Sequence, residues 1–220
     1  MPTRHARPGR PRHVAQSTQR PPREEILDAA SQLFTDQGYA ATSTREIADE
    51  VGIRQASLYY HFEGGKGQIL AELLEMTVRP TLDSLDELAQ IETDEARLYA
   101  LAFRDAGVLA KLMHNIGTLP THPDVAKTPE CQEYEVARQE LRQAYGVLGI
   151  SCAVDSVLSS VEKSQLGAMI IQQVEGVIRD RAADPEHVVT DMELHAVAAT
   201  CLRICGVPQG RIEAAASATA

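Results

Sequence analysis

Between residues 55 and 61, Gln55, Ser57, Tyr59, Tyr60 and His61 place hydrogen-bonding and aromatic side chains where an ordinary solvated helix would carry Lys and Glu. The chemistry such groups offer is recognition. A Gln amide pairs bidentately with an adenine edge, a Ser hydroxyl with a base edge or a phosphate, and Tyr hydroxyls and a His ring with phosphate oxygens. Side chains able to make or break bonds are not arranged for it. The seven histidines, His114 and His122 among them, accompany no Gly-rich phosphate loop, no Gly-x-Ser-x-Gly and no His-Glu-x-x-His, so neither an enzyme nor a cofactor is expected. Cys131, Cys152, Cys201 and Cys205 form no Cys-x-x-Cys pair, which favours reduced thiols over a disulfide framework. Cys201 and Cys205 share a helical face. Half a metal site is one reading and small apolar residues in a helix interface the other; no third ligand at matching spacing appears, so packing is preferred and no metal is expected.

The elements that must position the Gln55 to His61 face follow from periodicity. Ile26, Ala30, Leu33 and Phe34 form one apolar stripe behind acids in the first helical turn, and Gly38 supplies a stop. Ser43 and Glu46 have capping-box spacing and open a short helix with Ile47, Ala48 and Val51 inward. Gly52-Ile53 breaks it, and residues 54–62 form a third helix with Leu58 and Phe62 inward. Tyr60 reads as partly core, and Tyr39 as a packing residue closing the first helix. Two short helices separated by a Gly-containing turn are the helix-turn-helix pattern.

Charge is divided in the same sense. Residues 1–62 carry eight arginines against seven acids, and the remainder 13 basic against 24 acidic residues, giving the net charge of −10. Residues 1–23 contain six arginines, Arg10 and Arg12 among them, and no acid. A basic, Pro-rich arm of residues 1–22, disordered when free, therefore precedes an acidic body, and nucleic acid or another anionic surface is the arm's expected partner. Arg7-Pro8-Gly9-Arg10-Pro11-Arg12 resembles an AT-hook, whose Gly-Arg-Pro core enters the minor groove; a solubilising tail is the other reading. Apolar residues make up 44% of 220, so a core can form, and the 4% of aromatics point to a Leu, Val, Ile and Ala core in helices. No apolar run nears the roughly 18 residues of a membrane span, and no apolar block follows the basic start, so a cytoplasmic protein is expected.

Residues 24–75 resemble the DNA-binding domain of the TetR family of bacterial transcriptional repressors. The resemblance rests on Ser57-Leu58-Tyr59-Tyr60-His61-Phe62 followed by Lys66 and Ile69-Leu70, backed by Thr44-Arg45-Glu46-Ile47-Ala48 and Gly38-Tyr39. It implies that Thr44 and Arg45 touch DNA, that Gln55, Ala56 and Ser57 lie deepest in the major groove, and that Tyr59, Tyr60 and His61 sit by the backbone. It also implies a phosphate on Lys66 at the start of a fourth helix. Glu63-Gly64-Gly65-Lys66 sets that lysine one residue further on than in the commonest family pattern, an insertion two glycines can absorb.

The expected fold is all-α: a helix-turn-helix domain over 23–75, a larger helical domain over 76–210 and a frayed tail over 211–220. Beyond the third helix, candidates are 66–79 (broken before Pro80), 81–91, 93–114, 129–149, 154–183 and 187–205, with a long loop from 115 to 129. Residues 154–183 carry Val157, Val161, Leu166, Ile170, Val174 and Ile178, with Gly167 and Ala168 allowing close approach; residues 187–205 carry Leu194, Val197, Ala198, Cys201, Leu202 and Cys205. Both stripes suit a homodimer packed as a four-helix bundle, as the family resemblance also implies. Two reading heads about one DNA turn apart would then read a palindrome. The resemblance further implies a small-molecule pocket among the middle helices. Tyr99, Phe103, Met113, His114, Tyr134, Tyr145 and Met169 are its expected lining, suited to a largely hydrophobic ligand; plain core is the other reading for each. A ligand-released repressor is the expected function, with an activator of the same fold as the nearest alternative and a constitutive DNA-architectural protein as a further one.

Overall fold

The structure, a computed structural model, describes residues 20–219, the side chains of Met113, Lys163 and Ser164 excepted. The basic arm, with Arg10 and Arg12, lies outside the described residues up to Arg20. Pro22 lacks an N–H to leave unpaired and opens α1 (Pro22–Gln37), with Glu24 and Glu25 in the first turn and Ile26, Leu27, Ala30 and Phe34 buried. The helices α2 (Thr44–Val51), α3 (Gln55–His61) and α4 (Gly65–Leu82) follow, then a short α5 (Leu85–Leu88), α6 (Asp94–Ala110) and a 3₁₀ segment (Met113–Thr121). The chain continues as α7 (Pro129–Cys152), α8 (Asp155–Leu158), α9 (Lys163–Val174), α10 (Gly176–Ala183), α11 (Asp191–Ile204) and α12 (Gln209–Ser217). The fold is all-α, with no strand among the described residues and no helix there long and apolar enough to cross a membrane.

One apolar core runs through the helices. In it α7 packs on α9 and α4, α6 packs on α11, and the 3₁₀ segment lies against α1. The helix-turn-helix thus rests on the C-terminal part through α4 and the 3₁₀ segment, among other contacts. Where α7 crosses α9 the backbones meet: a Cβ on Gly167 would stand 2.7 Å from the Arg142 carbonyl and 2.9 Å from Gly146 Cα.

Several boundaries depart from the periodic reading. The fourth helix passes through Pro80 because that residue is exposed in the last turn, while Thr81 and Leu82 beyond it are buried. A proline there removes one backbone bond from a turn that burial holds. Residues 154–183 form three helices, divided by an extended Glu162 and by Glu175, and the 115–129 stretch opens as 3₁₀ helix to Thr121 before continuing as turns. Among the described residues the tail is helical as far as Ser217. Burial of Ile212 and Ala215 anchors α12, the buried Ile contributing roughly 1.5–3 kcal/mol.

Part of the stripe on 187–205 is already covered within one chain. Leu194, Ala198, Cys201 and Leu202 are buried within a single copy, against α6. The close approach allowed by Gly167 is likewise used internally, against α7. Burial pushes the Cys201 thiol up to about 12 and Cys205 to about 11, which leaves both protonated and apolar in character near neutrality.

Candidate nucleic-acid interface

The reading face is set by two caps and a glycine. Ser43 accepts from the Glu46 N–H at 3.2 Å while Glu46 accepts from the Ser43 N–H at 2.8 Å, so the capping box fixes where α2 starts. The Ser43 hydroxyl, donating to the Glu46 carboxylate at 2.8 Å, and the Ser43 N–H together hold that carboxyl below its ordinary range. The second helix ends on Gly52 at φ 76°, a left-handed conformation that favours glycine, and the Ile53 N–H closes on the Ala48 carbonyl at 2.9 Å. The chain then turns into α3, whose only buried residue is Leu58.

On the outer side, Gln55, Ala56, Ser57, Tyr59 and Tyr60 are exposed, with Tyr60 at 83%; the expectation that Tyr60 is partly core fails. No acid occurs from Gly52 to Phe62. The structure brings three of the expected residues into one cluster: Gln55 Nε2 donates to Thr44 Oγ1 at 2.9 Å, and Thr44 Oγ1 lies 3.4 Å from the Tyr59 hydroxyl. The start of α2 and the first turn of α3 therefore form one continuous polar surface. Arg45, exposed beside Thr44, stands 3.8 Å from Asp49, a surface pair worth little in high dielectric. His61 is half-buried with its ring edge-on to Tyr60.

Lys66 differs from expectation. Its ammonium donates to the Tyr39 carbonyl at 2.7 Å and the Thr42 carbonyl at 2.9 Å and lies 4.2 Å from the Tyr39 ring centroid. Two of its three donors thus brace the turn that delivers α2, and burial lowers its pKa. The shift of one position explains the use: Gly65 adopts φ 61° against the Tyr59 ring, and Lys66 then points back under the turn. Tyr39 packs edge-on against Phe34, as its reading as a packing residue implies.

Two positioning residues escaped the sequence reading. Arg23 pairs with Glu72, donates to the His61 carbonyl at 2.8 Å and lies over the Phe62 ring, tying α1 to α3 and α4. Asp124 accepts from the Ala40 N–H at 2.7 Å, which lowers its pKa. Neither has a local signal, because the partners are 49 and 84 residues away.

The expected ligand residues stand at several places among the described helices. Tyr134 borders a cavity of about 400 Å3 between the 3₁₀ segment, α7 and α10, whose walls include Pro120, Ile178, Arg138 and Glu175. Arg138 and Glu175 form a two-pronged ion pair at 2.6 and 2.8 Å there, so the wall is not purely apolar. Phe103 borders a separate hollow of about 410 Å3 between α6 and α11. Tyr99 and Tyr145 are core residues, the former bonded to His195 Nδ1 at 2.7 Å and the latter donating to Asp105 at 2.8 Å. Met169 is 43% exposed on α9, His114 bonds Asp28 of α1 at 3.0 Å, and the Met113 side chain lies outside the described residues.

The chain matches the family described as bacterial regulatory proteins, tetR family, over residues 26–73. It is 31% identical over 123 residues to the HTH-type transcriptional regulator LmrA of Bacillus subtilis, covering 56% of this chain and 64% of LmrA. Over 52 residues it is 46% identical to the HTH-type transcriptional repressor KstR2 of Mycolicibacterium smegmatis, 24% of this chain and 25% of that one. The chain thus spans less than two thirds of the curated relatives it matches. Among solved structures, Mycobacterium smegmatis AmtR is similar across 96% of both chains, with a TM-score of 0.76 and 36% identity. AibR, solved in complex with isovaleryl coenzyme A and operator DNA, shares the fold at a TM-score of 0.64 and 17% identity, over 86% of this chain and 100% of that one.

Proposed function

Because the chain belongs to the TetR family of bacterial regulatory proteins, and is a transcriptional regulator, we propose that it works as a homodimeric repressor that binds a palindromic operator and is released by a small molecule. The observation that carries this reading is the acid-free, exposed face of α3 joined through Gln55 to Thr44. In it Gln55, Ala56 and Ser57 meet base edges, Thr44 and Arg45 enter beside them, and Tyr59, Tyr60 and His61 follow the phosphates. Lys66 positions the turn. Arg10 and Arg12 on the arm add phosphate or minor-groove contact.

The second copy docks on the remaining apolar surface. Val136, Val147 and Ile150 recur along one side of α7, with Val136 and Val147 exposed, and Met169 is exposed on the neighbouring α9. The effector enters the cavity beside Tyr134. Arg138 and Glu175 on its wall favour an amphipathic molecule over a purely hydrophobic one. Contact with the 3₁₀ segment, which packs on α1, gives its occupancy a route to the reading head. An activator differs only in where the operator lies relative to the promoter.

Selection of bound fragments from genomic DNA by the purified chain, at two salt concentrations, tests the reading. Recovery of a palindrome is the expected result. Gln55→Ala should then lose about 1–3 kcal/mol of discrimination at one position of each half-site; equal affinity of variant and parent for cognate and scrambled duplexes would remove α3 as the reading element.

A further inference from the structure

We propose that Thr44 acts on DNA through Gln55, as a positioning residue that fixes the Gln55 amide in the setting that accepts adenine and rejects guanine. The inference rests on α3 being the reading element; it adds which purine that element selects and what makes the selection.

The Thr44 side chain is held from behind. Gly65, in the lengthened 63–66 link, is buried at φ 61°, and a Cβ there would stand 3.1 Å from Tyr59 Cε1, 3.6 Å from the Tyr59 hydroxyl and 3.7 Å from Thr44 Cγ2. The glycine is therefore a shelf on which the Tyr59 ring and the Thr44 methyl both rest. Thr44 is half-buried at the first position of α2, and a β-branched side chain with its methyl so placed has few χ1 settings left. Its hydroxyl faces outward. There it accepts from Gln55 Nε2 at 2.9 Å and lies 3.4 Å from the Tyr59 hydroxyl.

One of the two N–H groups of the Gln55 amide is thereby taken. What the amide still presents is one N–H donor beside the Oε1 acceptor. In the major groove adenine offers the N7 acceptor beside the N6 amino donor, which complements that pair. Guanine offers two acceptors, N7 and O6, so Gln55 must either release Thr44 and turn both N–H groups to the base or set Oε1 against O6. On the free, exposed face water softens this choice. Once DNA covers the face, a polar group left without a partner loses its hydration with nothing in return, and the bond to Thr44 becomes decisive between the two purines.

Selection from a random-sequence duplex library by the full chain and by Gln55→Ala, Thr44→Val and Thr44→Ser tests this, followed by affinities for duplexes that differ only in A or G at one position of each half-site. Gln55→Ala identifies the position that Gln55 reads, as the one where discrimination is lost. There the parent should favour A over G by about tenfold or more, the scale of a bidentate contact. Thr44→Val keeps the methyl on Gly65 and removes the hydroxyl, so both N–H groups can turn to guanine; the preference should fall to within about threefold, with the G duplex bound better relative to A. Thr44→Ser, which restores the hydroxyl, should restore the preference. Should Thr44→Val fail to fold, Thr44→Ala, which also lacks the hydroxyl, takes its place. A parent without preference for A at that position, a Thr44→Val variant that keeps the preference or weakens both duplexes by the same factor, or a Thr44→Ser variant that behaves as Thr44→Val would each overturn the proposal while leaving α3 as the reading element. Discrimination unchanged at every position in Gln55→Ala would remove α3 from that role, and the proposal with it.

Discussion

Asp105 shows how much one residue can hold that a sequence conceals. Only 2% exposed, it accepts from Thr81 at 3.0 Å and from Tyr145 at 2.8 Å, and burial still lifts its carboxyl to about 7 against the pull of both hydrogen bonds. In the unfolded chain the same group ionises near 3.8. Between those values the folded state keeps a proton that the unfolded state has released, so this contribution to stability falls as pH rises from about 4 to 7. At about 1.4 kcal/mol per unit the loss is on the order of 4 kcal/mol above pH 7. Asp105→Asn should therefore have a higher urea midpoint than the parent at pH 8, with the gap closing toward pH 4.5; a gap independent of pH would mean equal ionisation in both states. Gln55 and Ser57 were legible because they break the pattern of a solvated helix. Asp105, Arg23 and Asp124 were not, since each looks like a surface charge until partners from 24 to 84 residues away are brought to it.

Among the elements, the crossing of α7 and α9 gives the sharpest contrast between neighbouring positions. A methyl on Gly167 meets backbone, the Arg142 carbonyl and Gly146 Cα, neither of which can step aside. A methyl on Gly146 finds Gly167 Cα at 3.8 Å, ordinary contact. Gly167→Ala should cost about 1–3 kcal/mol of overpacking, while Gly146→Ala should be neutral or stabilising by up to about 1 kcal/mol through helix propensity. Urea midpoints of the two variants check this, and equal effects would mean that the helices are not in backbone contact. Apolar periodicity made most helices legible, and the Ser43 and Glu46 spacing placed the start of α2 at Thr44. It missed the extended Glu162, the breach at Glu175 and the persistence of α4 past Pro80. At Glu175 the carboxylate is held by Arg138 of another helix, and past Pro80 burial of Thr81 and Leu82 holds the turn; stripes along one helix do not report either.

For the whole molecule, the question is which surface a second copy covers. Leu194, Ala198, Cys201 and Leu202 of the expected stripes are buried within one chain, and the proposed interface adds Val136, Val147 and Ile150 on α7 to the exposed Met169 on α9. Val147→Asp places a charge at the centre of that face and leaves the core untouched. Sedimentation should show the parent as a dimer and the variant as a monomer, with operator affinity falling by more than tenfold because two half-sites are no longer bound together. A variant that remains dimeric would place the interface elsewhere.

The support that Asp124 gives to Ala40 bears on modularity. The C-terminal part also presses Glu130 against Gly67 at the head of α4, so the reading head is finished by side chains encoded well beyond its end. A chimera joined near residue 75, carrying this reading head on another regulator's body, would lose both props. Its turn into α2 would be left with Lys66 and with Thr42, whose hydroxyl donates to the Gly38 carbonyl at 2.9 Å, and such a hybrid would recognise the same bases while binding them more weakly. Transplanting the specificity whole requires residues 124 and 130 to travel with it.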